Sequence, residues 1–516
     1  VLTLVEPQSS GIGGGAFLLH WNGKSIAAWD GRETAPAAAD ERLFLLPDGK
    51  PMPFREGVVG GRSVGVPGVV RMLEAVHREQ GQLQWAALFQ PAIALAEQGF
   101  RLSPRLHTLL KAETALKNDA QARAYFYGAD GEPLPIGTVV KNPALADVLR
   151  GIASRGSAAL NGGAVAADIV KRVRGHATNP GKLSEADLAG YTPKRRESIC
   201  TVWKMTYRVC GFPPPSSGHI AVMQILGVLE RSAAVAQPLA DKLPSADWLH
   251  TYTEAARLAY ADRAMYLGDP DFVQPPAGRW TSLLDDAYLK QRAALIGAQS
   301  MGTAKPGVPA GAASAFASQA EQIEVGTSHI SIVDAQGRAV AMTTTIEDVF
   351  GARLMSDGGT GKPGGFLLNN ELTDFSFAPA DAEGRPIANR VQPGKRPRSS
   401  MSPMLVFDQR DGRLLMSLGS PGGAAIIHFT AKTLIGTYEW GLDAQRAIDL
   451  PNFGSFNGPT VLERGRFPAA TLEALRARGH TVNEIDMTSG LQAIQRTAAG
   501  WHGGADPRRE GVVIGD

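Results

Sequence analysis

Alternating apolar and polar positions predict three β-hairpins at widely spaced places in the chain. The first covers residues 16–30 and turns at Asn22-Gly23. The second covers residues 328–345 and the third residues 404–418, each around a turn rich in Asp and Gly. Period-two alternation on both sides of such a turn is typical of a hairpin. Sheet-forming sequence therefore occurs in both halves of the chain.

Apolar residues repeating every three or four positions predict helices between the first two hairpins, at 68–80, 84–98, 105–116, 220–229 and 246–266. Apolar residues of the last helix fall largely on one side, which predicts one face packed against a sheet: Leu249, Tyr252, Ala256, Leu258, Ala259 and Met265. Residues 1–5 have the pattern of a strand. Strands early and late with helices between them predict a single α+β unit.

Two segments interrupt these patterns. Residues 304–320 are dominated by Ala, Ser, Gly and Pro and have no periodic apolar spacing, which predicts a mobile tail. A strong strand follows at Thr327. Residues 378–394 form a polar loop punctuated by Pro and Gly, and this loop is a candidate lid over a site.

Charge and composition exclude two classes of partner. The 516 residues contain 52 Lys and Arg against 50 Asp and Glu, and no long basic run interrupts this balance. We therefore expect neither a nucleic-acid surface nor a polybasic membrane contact. No apolar stretch approaches the roughly 20 residues that cross a bilayer. Because the chain begins with Val1 and shows no signal peptide, we also expect a segment upstream of it.

Two cysteines are too few for a tetrahedral cysteine site. Cys200 and Cys210 flank a predicted hairpin that turns near Lys204 and Met205, so the two sulfur atoms could face each other. A disulfide and a pair of small buried apolar side chains are equally compatible with this pattern. The sequence therefore does not decide whether the protein occupies an oxidising or a reducing compartment.

Two glycine-rich loops are candidates for ligand binding. The loop at residues 9–16 matches the dinucleotide pattern in letters, but a strand follows it where that pattern needs a helix, so nucleotide binding is disfavoured. The loop at residues 419–425 joins a strand to a helix. Glycine amides at a helix start suit the oxyanion of an acyl transfer, and a plain tight turn is the alternative.

Seven sequence blocks carry a resemblance to a known family, and they occur in this order: EPQSSGIGGG (6–15), DGRETAP (30–36), PPPSSG (213–218), TSHIS (327–331), NNELTDF (369–375), RPRSSMSP (396–403) and GSPGG (419–423). GADPRR follows at 504–509, so the series spans almost the whole chain. Together the blocks resemble the γ-glutamyltransferase family.

This resemblance implies an N-terminal-nucleophile hydrolase fold, a four-layer αββα sandwich that both fragments of a self-cleaved precursor form jointly. Cleavage would fall between Gly326 and Thr327. It would yield a large fragment, 1–326, with a mobile tail at about 304–326, and a small fragment, 327–516. Glycine before the cleaved bond is sterically permissive.

The implied nucleophile is the hydroxyl of Thr327, which is weak until a base activates it. Cleavage would free the α-amino group of Thr327, and an α-amine titrates near pH 8, so much of it can accept a proton around neutral pH. The cut would thus create the catalytic base.

A γ-glutamyl substrate carries an α-carboxylate and an α-ammonium on one carbon, so its pocket needs groups of both charges. By resemblance, Arg32 binds the carboxylate, and Ser399 and Ser400 donate hydrogen bonds beside it. Asp374 and Glu371 would accept from the ammonium. Taken singly, Arg32 also suits a surface position, Asp374 a turn, and the serines an ordinary loop.

Four further residues complete the implied site. The amides of Gly422 and Gly423 would hold the oxyanion, and Thr345 would bond near the nucleophile, although its β-propensity alone suits a strand. Glu347 is assigned to substrate binding; it and Glu371 stand where many family members carry Asn and Gln. His329 shares the strand face of Thr327 but lies about 7 Å along it, so we expect a structural role.

The implied reaction transfers the γ-glutamyl group of glutathione, glutamine or a related amide to Thr327, and then to water, an amino acid or a peptide. No metal or organic cofactor is expected. The cleaved fragments would stay together as a heterodimer, in the periplasm or outside a bacterium. Alternatives are an acylase acting on glutaryl groups, as in cephalosporins, and an uncut, non-catalytic binding protein.

Overall fold

The computed structural model describes residues 1–312, 316–320 and 326–515. Its helices are α1 Leu2–Val5, α2 Phe54–Val58, α3 Val69–Gln80, α4 Trp85–Gln98, α5 Pro104–Ala112, α6 Ala120–Phe126, α7 Pro143–Arg155, α8 Ala158–Asn161, α9 Gly163–Arg174, α10 Glu185–Gly190, α11 Gly218–Arg231, α12 Ala246–Tyr266, α13 Asp286–Ala293, α14 Ile426–Tyr438, α15 Ala444–Asp449 and α16 Ala469–Ala477. The strands are β1 Gly15–Trp21, β2 Ile26–Asp30, β3 Phe100–Arg101, β4 Val139–Val140, β5 Lys194–Arg196, β6 Ile199–Trp203, β7 Tyr207–Gly211, β8 Leu239–Ala240, β9 Leu243–Pro244, β10 Ser328–Val333, β11 Ala339–Thr345, β12 Met355–Ser356, β13 Phe366–Leu367, β14 Met404–Asp408, β15 Leu414–Gly419, β16 Phe453–Ser455, β17 Thr460–Glu463, β18 Val482–Ile485, β19 Gln492–Thr497 and β20 Gly500–Ala505.

Two antiparallel sheets form the centre of the molecule. The first has the strand order β10-β11-β1-β2-β5, and the second the order β20-β19-β15-β14-β7-β6. All three predicted hairpins are confirmed, as β1-β2, β10-β11 and β14-β15. Each sheet combines strands from both sides of Gly326, because β1 pairs with β11 and β7 pairs with β14. A cut before Thr327 would therefore leave both sheets held together by ladder hydrogen bonds.

The sheets stack face to face between two layers of helices. Side chains such as Phe17, Leu19, Leu405 and Phe407 fill the space between the sheets. The alternate positions of β1, Ala16 and Leu18, face a separate core that α3, α4, α5, α7 and α9 complete. Residues of α11, α12 and α14 cover the outer face of the second sheet in the same way. This period-two division of each strand confirms the predicted four-layer αββα sandwich.

Two predictions of local structure are wrong. Residues 1–5 contain the short helix α1 and no strand. Helix α12 has the predicted bounds but is buried on nearly all sides, including its charged residues Glu254 and Asp262. Segments distant in sequence cover its outer face: Ser300 Oγ donates to Glu254 at 2.9 Å and the amide of Gly307 to Asp262 at 2.8 Å. Charged residues can be buried when they are paired, and the apolar pattern of one helix does not reveal partners that lie elsewhere in the chain.

The segment predicted as a mobile tail makes specific contacts where the structure describes it. Ala304 is buried and exchanges two hydrogen bonds with the side chain of Asn457. Ala317 is buried and bridges to Ile387. Residues 313–315 and 321–325 lie outside the described part of the chain. The division into two fragments at Gly326, and the mobility of 304–326, stay predictions.

Cys200 and Cys210 form a disulfide between β6 and β7, where they are directly paired. This decides between the two alternatives that the sequence left open. Among the described residues, no helix combines the length and apolar character that crossing a bilayer requires.

Candidate active site

A small cavity brings together all the predicted site residues except Gly326, Ser400 and Gly422. Its walls are Arg32, Thr327, Thr345, Glu347, Glu371, Asp374, Ser399, Met401, Gly423 and Ile426. The free space is only about 10 Å³, since charged side chains pair across it. Residues from the β1-β2 hairpin, the β10-β11 hairpin and the loops after β13 and β15 thus converge on one point. The roles assigned to them stay predictions.

The hydroxyl of Thr327 is held at the start of the edge strand β10. Its Oγ donates to Oγ of Thr345 at 3.0 Å, and Thr345 Oγ also accepts from the amide of Glu347 at 2.8 Å. The amide nitrogen of Thr327 donates to the carbonyl oxygen of Ser9 at 3.0 Å. Arg509 Nη1 donates to the carbonyl oxygen of Thr327 at 3.1 Å. Every polar atom of Thr327 therefore has a partner that orients it.

The backbone at the predicted cleavage point is strained. Thr327 has φ of 99°, a value that a β-branched residue adopts only at a cost of roughly 1–3 kcal/mol. Gly326 is packed so tightly that a Cβ there would overlap the carbonyl oxygen of Glu347. The position before Thr327 thus excludes any side chain for lack of space.

Arg32 is buried at the base of the cavity. Its two terminal nitrogens form ion pairs with Glu371 and Asp374. Its Nε and Nη2 also donate to the carbonyl oxygens of Pro397 at 3.2 Å and Arg398 at 3.0 Å. Although burial opposes its charge, the two carboxylates raise the pKa of Arg32 above its ordinary value. The guanidinium stays charged in a site almost closed to water.

Three buried carboxyl groups, Glu33, Glu371 and Asp374, cluster around Arg32, so they cannot all ionise readily. Burial raises the pKa of Glu33 to about 7, against the attraction of Arg32. Burial also raises the pKa of Glu371 and of Asp374. Both oxygens of Glu33 and Oε2 of Glu371 lack a donor among the described residues. The hydrogen bond between these two carboxyl groups raises the pKa of Glu371 and lowers that of Glu33, as expected if Glu371 is the donor.

Asp374 retains an unused acceptor in this cavity. Its Oδ2 pairs with Arg32, but its Oδ1 is buried and finds no donor within the described ranges. Buried carboxylate oxygens are nearly always satisfied, so an unmet one lining a cavity indicates a site for a donor or a cation.

The two predicted serines differ in position. Ser399 lines the cavity, and its Oγ accepts from the amide of Met401 at 3.2 Å. Ser400 lies behind it and accepts from Arg263 Nη2 at 2.6 Å. Arg263 also donates from Nε to Ser217 Oγ at 2.9 Å, which joins the PPPSSG and RPRSSMSP blocks. Ser400 is placed to support the wall of the cavity, not to form it.

The loop after β15 has the geometry of an anion-binding turn. Gly422 and Gly423 have φ of 131° and 56°, which glycine adopts without the penalty of a side chain. Neither amide donates to another described residue. A 3₁₀ turn at Gly423–Ala425 leads directly into α14, whose N-terminus adds a favourable field for negative charge. Tyr260 Oη donates to the carbonyl oxygen of Ala424 at 2.5 Å and so anchors this turn.

The glycine loop at residues 11–15 packs closely against other parts of the chain. A Cβ on Gly13 would overlap the carbonyl oxygen of Leu367, and one on Gly14 that of Thr345. Asn369 secures the loop by donating to the carbonyl oxygen of Gly13 at 2.8 Å. The strand β1 follows, as predicted. These glycines permit close backbone packing behind the nucleophile.

Among the described residues that line the small cavity, none is His329 and none belongs to the loop 378–394. His329 is buried, bonded to Thr343 and Ser331, and burial lowers its pKa to about 3. The inner part of the loop is buried, and Asn389 donates to the carbonyl oxygen of Asp374 at 2.7 Å. The structural role expected for His329 fits this environment. Asn389 places that part of the loop behind Asp374, where it holds the pocket wall.

Sequence reasoning missed four supporting residues: Glu33, Tyr260, Asn369 and Arg509. Glu33, Asn369 and Arg509 lie inside the blocks DGRETAP, NNELTDF and GADPRR, and their place in these blocks was the available signal. Tyr260 carried no such signal, since it is one aromatic residue in a long helix.

One buried group of the described residues has ligand-type atoms close enough for a metal ion: His250, Glu254 and His480. These atoms already have protein partners. His250 bonds to His480 at 2.8 Å and to the carbonyl oxygen of Gly297 at 2.8 Å, while Glu254 pairs with Arg257. The group is a satisfied hydrogen-bond network, and the expectation that no metal is needed stays a prediction.

Two stacked sheets between helical layers, with a threonine at the start of an edge strand, define an N-terminal-nucleophile hydrolase. The sequence model described as gamma-glutamyltranspeptidase matches residues 1–516. The chain belongs to this family, which makes it an enzyme of the γ-glutamyltransferase class.

Individual relatives include two kinds of enzyme. A glutathione hydrolase proenzyme of Bacillus subtilis is 33% identical over 526 residues, covering 100% of this chain and 85% of the relative. An acylase ACY 1 proenzyme of a Pseudomonas species is 32% identical, covering 96% of this chain and 83% of the relative. The structure of a cephalosporin acylase from Bacillus halodurans superposes with a TM-score of 0.83 at 25% identity, over 99% of this chain and 89% of that one.

Proposed function

We propose that the protein is a self-processing γ-glutamyltransferase with glutathione hydrolase activity. Thr327 is the nucleophile, and glutathione or a related γ-glutamyl amide is the donor. Water, an amino acid or a peptide accepts the group. The membership in the family supports this reaction class, and the cavity supports the assignment of its parts.

Processing begins with attack of Thr327 Oγ on the carbonyl carbon of Gly326. The C–N bond breaks, an ester replaces the amide, and water then hydrolyses the ester to leave a free α-amine on Thr327. The strained φ of Thr327 supports this step, because cutting the C–N bond detaches the carbonyl carbon of Gly326, one of the four atoms that define φ, and so removes the strain. The close contact of Gly326 with Glu347 supports a fixed geometry for the attack.

Turnover uses the same hydroxyl. The α-amine accepts the proton of Thr327 Oγ as the oxygen attacks the γ-carbonyl, and it then protonates the departing amine. The free amides of Gly422 and Gly423 stabilise the oxyanion, and removing one such donor typically costs about a hundredfold or more in rate. Water or an amine completes the cycle by cleaving the ester.

The unmet Oδ1 of Asp374 is the observation that carries the substrate assignment. A glutamyl group brings an α-carboxylate for Arg32 and an α-ammonium for Asp374 and Glu371. Its binding exchanges the internal ion pairs of Arg32 for pairs of the same charges with substrate. When substrate enters, the ion pairs of Arg32 with Glu371 and Asp374 are lost. The two charges of the glutamyl zwitterion replace them, so no buried charge is left without a partner.

The proposed location is the periplasm or the outside of a bacterium. The disulfide between Cys200 and Cys210 supports an oxidising compartment. The two fragments remain a heterodimer, which the mixed strand order of both sheets supports. No nucleic-acid partner and no cofactor are part of this proposal.

A glutaryl acylase is the second candidate, favoured by the acylase relative and the acylase fold neighbour. A glutaryl group has no α-ammonium, so it would leave Asp374 Oδ1 without a donor. Hydrolysis of γ-glutamyl-p-nitroanilide and glutaryl-p-nitroanilide compares the two directly. We expect the γ-glutamyl compound to be preferred by about a hundredfold, the scale of one lost charged hydrogen bond.

Denaturing electrophoresis and mass spectrometry test the processing. Wild-type protein should yield two fragments, the smaller beginning with Thr327. Thr327→Ala and Gly326→Ala should run as one uncut chain, and Thr327→Ala should release no glutamate. Ser328→Ala is the matched control and should process normally. An uncut wild type with full activity would overturn the proposal and favour a different nucleophile.

A further inference from the structure

A second, larger cavity adjoins the candidate active site. It encloses about 770 Å³, which lies within the range of roughly 300–1,000 Å³ typical of small-molecule sites. Most of its wall is apolar and includes Leu109, Phe429, Phe456, Val461, Ile485 and Met487. Phe456 and Ile485 are half-buried, so they offer apolar surface to a ligand. The wall favours an apolar group of substantial size.

Three residues connect this cavity to the nucleophile. Gly422 lines the second cavity and Gly423, its neighbour, lines the first. Val349 lines the second cavity two residues after Glu347, which lines the first. Arg509 is also in the wall of the second cavity and holds the carbonyl oxygen of Thr327. The cavity therefore adjoins the oxyanion loop, and Arg509 connects its wall to the carbonyl oxygen of Thr327.

Two arginines supply positive charge to this wall. Within the described ranges, the side chain of Arg105 has no hydrogen bond or ion pair, and its buried Nε lacks an acceptor. The buried Nε of Arg509 also lacks one. Burial, with the nearby charge of Arg105, lowers the pKa of Arg509 to about 9, while Glu6 and Asp506 oppose this shift.

The acidic residue of the wall does not balance these cations. Asp486 lines the cavity but pairs with Arg464 at 3.0 Å, outside it. Glu510 accepts from the backbone amide of Arg105 and leaves its guanidinium unpaired. Two neighbouring guanidiniums with unused donors favour a carboxylate ligand.

We propose that this cavity binds the amine portion of the substrate, and that this amine is an apolar α-amino acid with an aromatic or large aliphatic side chain. The side chain lies against Phe429, Phe456 and Ile485. The carboxylate lies against Arg105 and Arg509. This inference rests on the proposed γ-glutamyl transfer and specifies its preferred donors and acceptors.

The cavity serves both halves of the reaction. In the first, Thr327 Oγ bonds to the γ-carbonyl carbon, the amide C–N bond breaks, and the apolar amino acid leaves with the proton relayed by the α-amine. In the second, the nitrogen of an incoming amino acid bonds to the ester carbon, the C–O bond breaks, and Thr327 Oγ recovers its proton. Atoms and charge balance without any further reagent.

Steady-state hydrolysis of four donors tests the preference: γ-glutamylphenylalanine, γ-glutamylglycine, γ-glutamylphenethylamine and glutathione. Processed wild-type protein should favour γ-glutamylphenylalanine over γ-glutamylglycine by at least about tenfold in kcat/KM, the lower range for burying an apolar group. The phenethylamine compound lacks only the carboxylate and should lose about tenfold through a higher KM.

Two variants separate the apolar and charged parts. Ile485→Asn should raise KM for the two phenyl-bearing donors about fivefold to tenfold and leave γ-glutamylglycine nearly unchanged. Its control is Val482→Asn, on the opposite face of β18. Arg105→Gln should raise KM for γ-glutamylphenylalanine and not for the phenethylamine compound. Its control is Lys111→Gln, which removes the same charge from an exposed position in the same helix, outside this cavity.

The outcomes distinguish this inference from the function on which it rests. If none of the four donors releases glutamate, the proposed function fails. If all four are hydrolysed with equal kcat/KM, or glutathione is preferred over the phenylalanine compound, the function stands and the assignment of the cavity is wrong. If Arg105→Gln raised KM equally for donors with and without the carboxylate, Arg105 would not be a carboxylate-binding residue.

Discussion

The two sides of Thr327 differ in nearly every physical property. On the acyl side, Arg32, Glu371 and Asp374 pair across a cavity with about 10 Å³ of free space. On the amine side, a wall rich in Phe, Val, Ile and Met encloses about 770 Å³. Directional charge pairs accept one small zwitterion, whereas apolar contact is non-directional and tolerates variation in shape. The acyl group is therefore selected strictly and the amine by size and polarity.

The oxyanion loop separates the two sides. Gly423 faces the tight cavity and Gly422 the wide one. Helix α12 supports both, because Tyr260 anchors the loop and Arg263, one turn later, holds Ser400 behind the acyl pocket. The sharpest tests alter one side and leave the other unchanged.

The largest effect should come from Asp374→Asn on the acyl side. Truncating one partner of a buried charge pair costs about 2–5 kcal/mol, so kcat/KM for γ-glutamyl-p-nitroanilide should fall by about a hundredfold to a thousandfold. Glutaryl-p-nitroanilide should lose much less, since it has no ammonium. An equal loss of kcat/KM for both anilides would show that Asp374 maintains the structure of the pocket and does not bind the ammonium. Thermal unfolding of the variant checks that the fold is retained.

Tyr260→Phe should have an intermediate effect. It removes the hydroxyl that holds the carbonyl oxygen of Ala424, so the amides of Gly422 and Gly423 lose precise orientation. We expect kcat to fall about tenfold with KM unchanged for every donor, because the oxyanion forms only in the transition state. Tyr266→Phe is the matched control, since Tyr266 in the same helix donates at 2.7 Å to Gly307 away from the site. A similar kcat loss in the control would contradict this role.

The pH dependence of substrate selection should show a smaller effect. Burial raises the pKa of Glu33 to about 7, so the carboxyl pair of Glu33 and Glu371 carries one more negative charge above pH 7 than below it. A protonated carboxyl attracts the α-ammonium less, and the preference for γ-glutamyl over glutaryl anilide should rise with pH. One proton with this pKa limits the rise to about tenfold between pH 6 and 8.

Both reactions depend on the titration of the Thr327 amine. Its effect therefore cancels in the ratio of kcat/KM for the two anilides. Glu33→Gln removes the carboxyl group that titrates near pH 7 and should make the ratio independent of pH. A ratio that stays constant in the wild type, or that still rises in Glu33→Gln, would be inconsistent with the carboxyl pair.

The smallest effect on activity should follow removal of the disulfide, which lies on neither side of Thr327. Replacing Cys200 and Cys210 together by Ala reopens a short loop and should cost about 2–3 kcal/mol of unfolding free energy. Urea denaturation measures this loss. Both kcat and KM should remain at wild-type values with γ-glutamylphenylalanine, and a change in either would link β6 and β7 to the site.

Local patterns predicted much of the fold. The hairpins around Asn22-Gly23 and after Thr327 depend on period-two alternation and turn residues, which act over a few positions, and both are present. Helix α12 has its predicted bounds for the same reason. Its burial on nearly all sides was not predictable, since the residues that cover Glu254 and Asp262 lie 46 and 45 positions further along the chain. The helix α1 at residues 2–5 is too short for periodicity to decide.

The sequence by itself determined the alternation of strands and helices, the family blocks and the kinds of chemical group available around Thr327. Only the tertiary structure decided which groups share one environment. It places Glu33 against Glu371, the Nη1 of Arg509 on Thr327, and a wide apolar cavity beside a narrow charged one. Alternation and turn chemistry are local, whereas desolvation, charge coupling and cavity shape arise where distant segments meet.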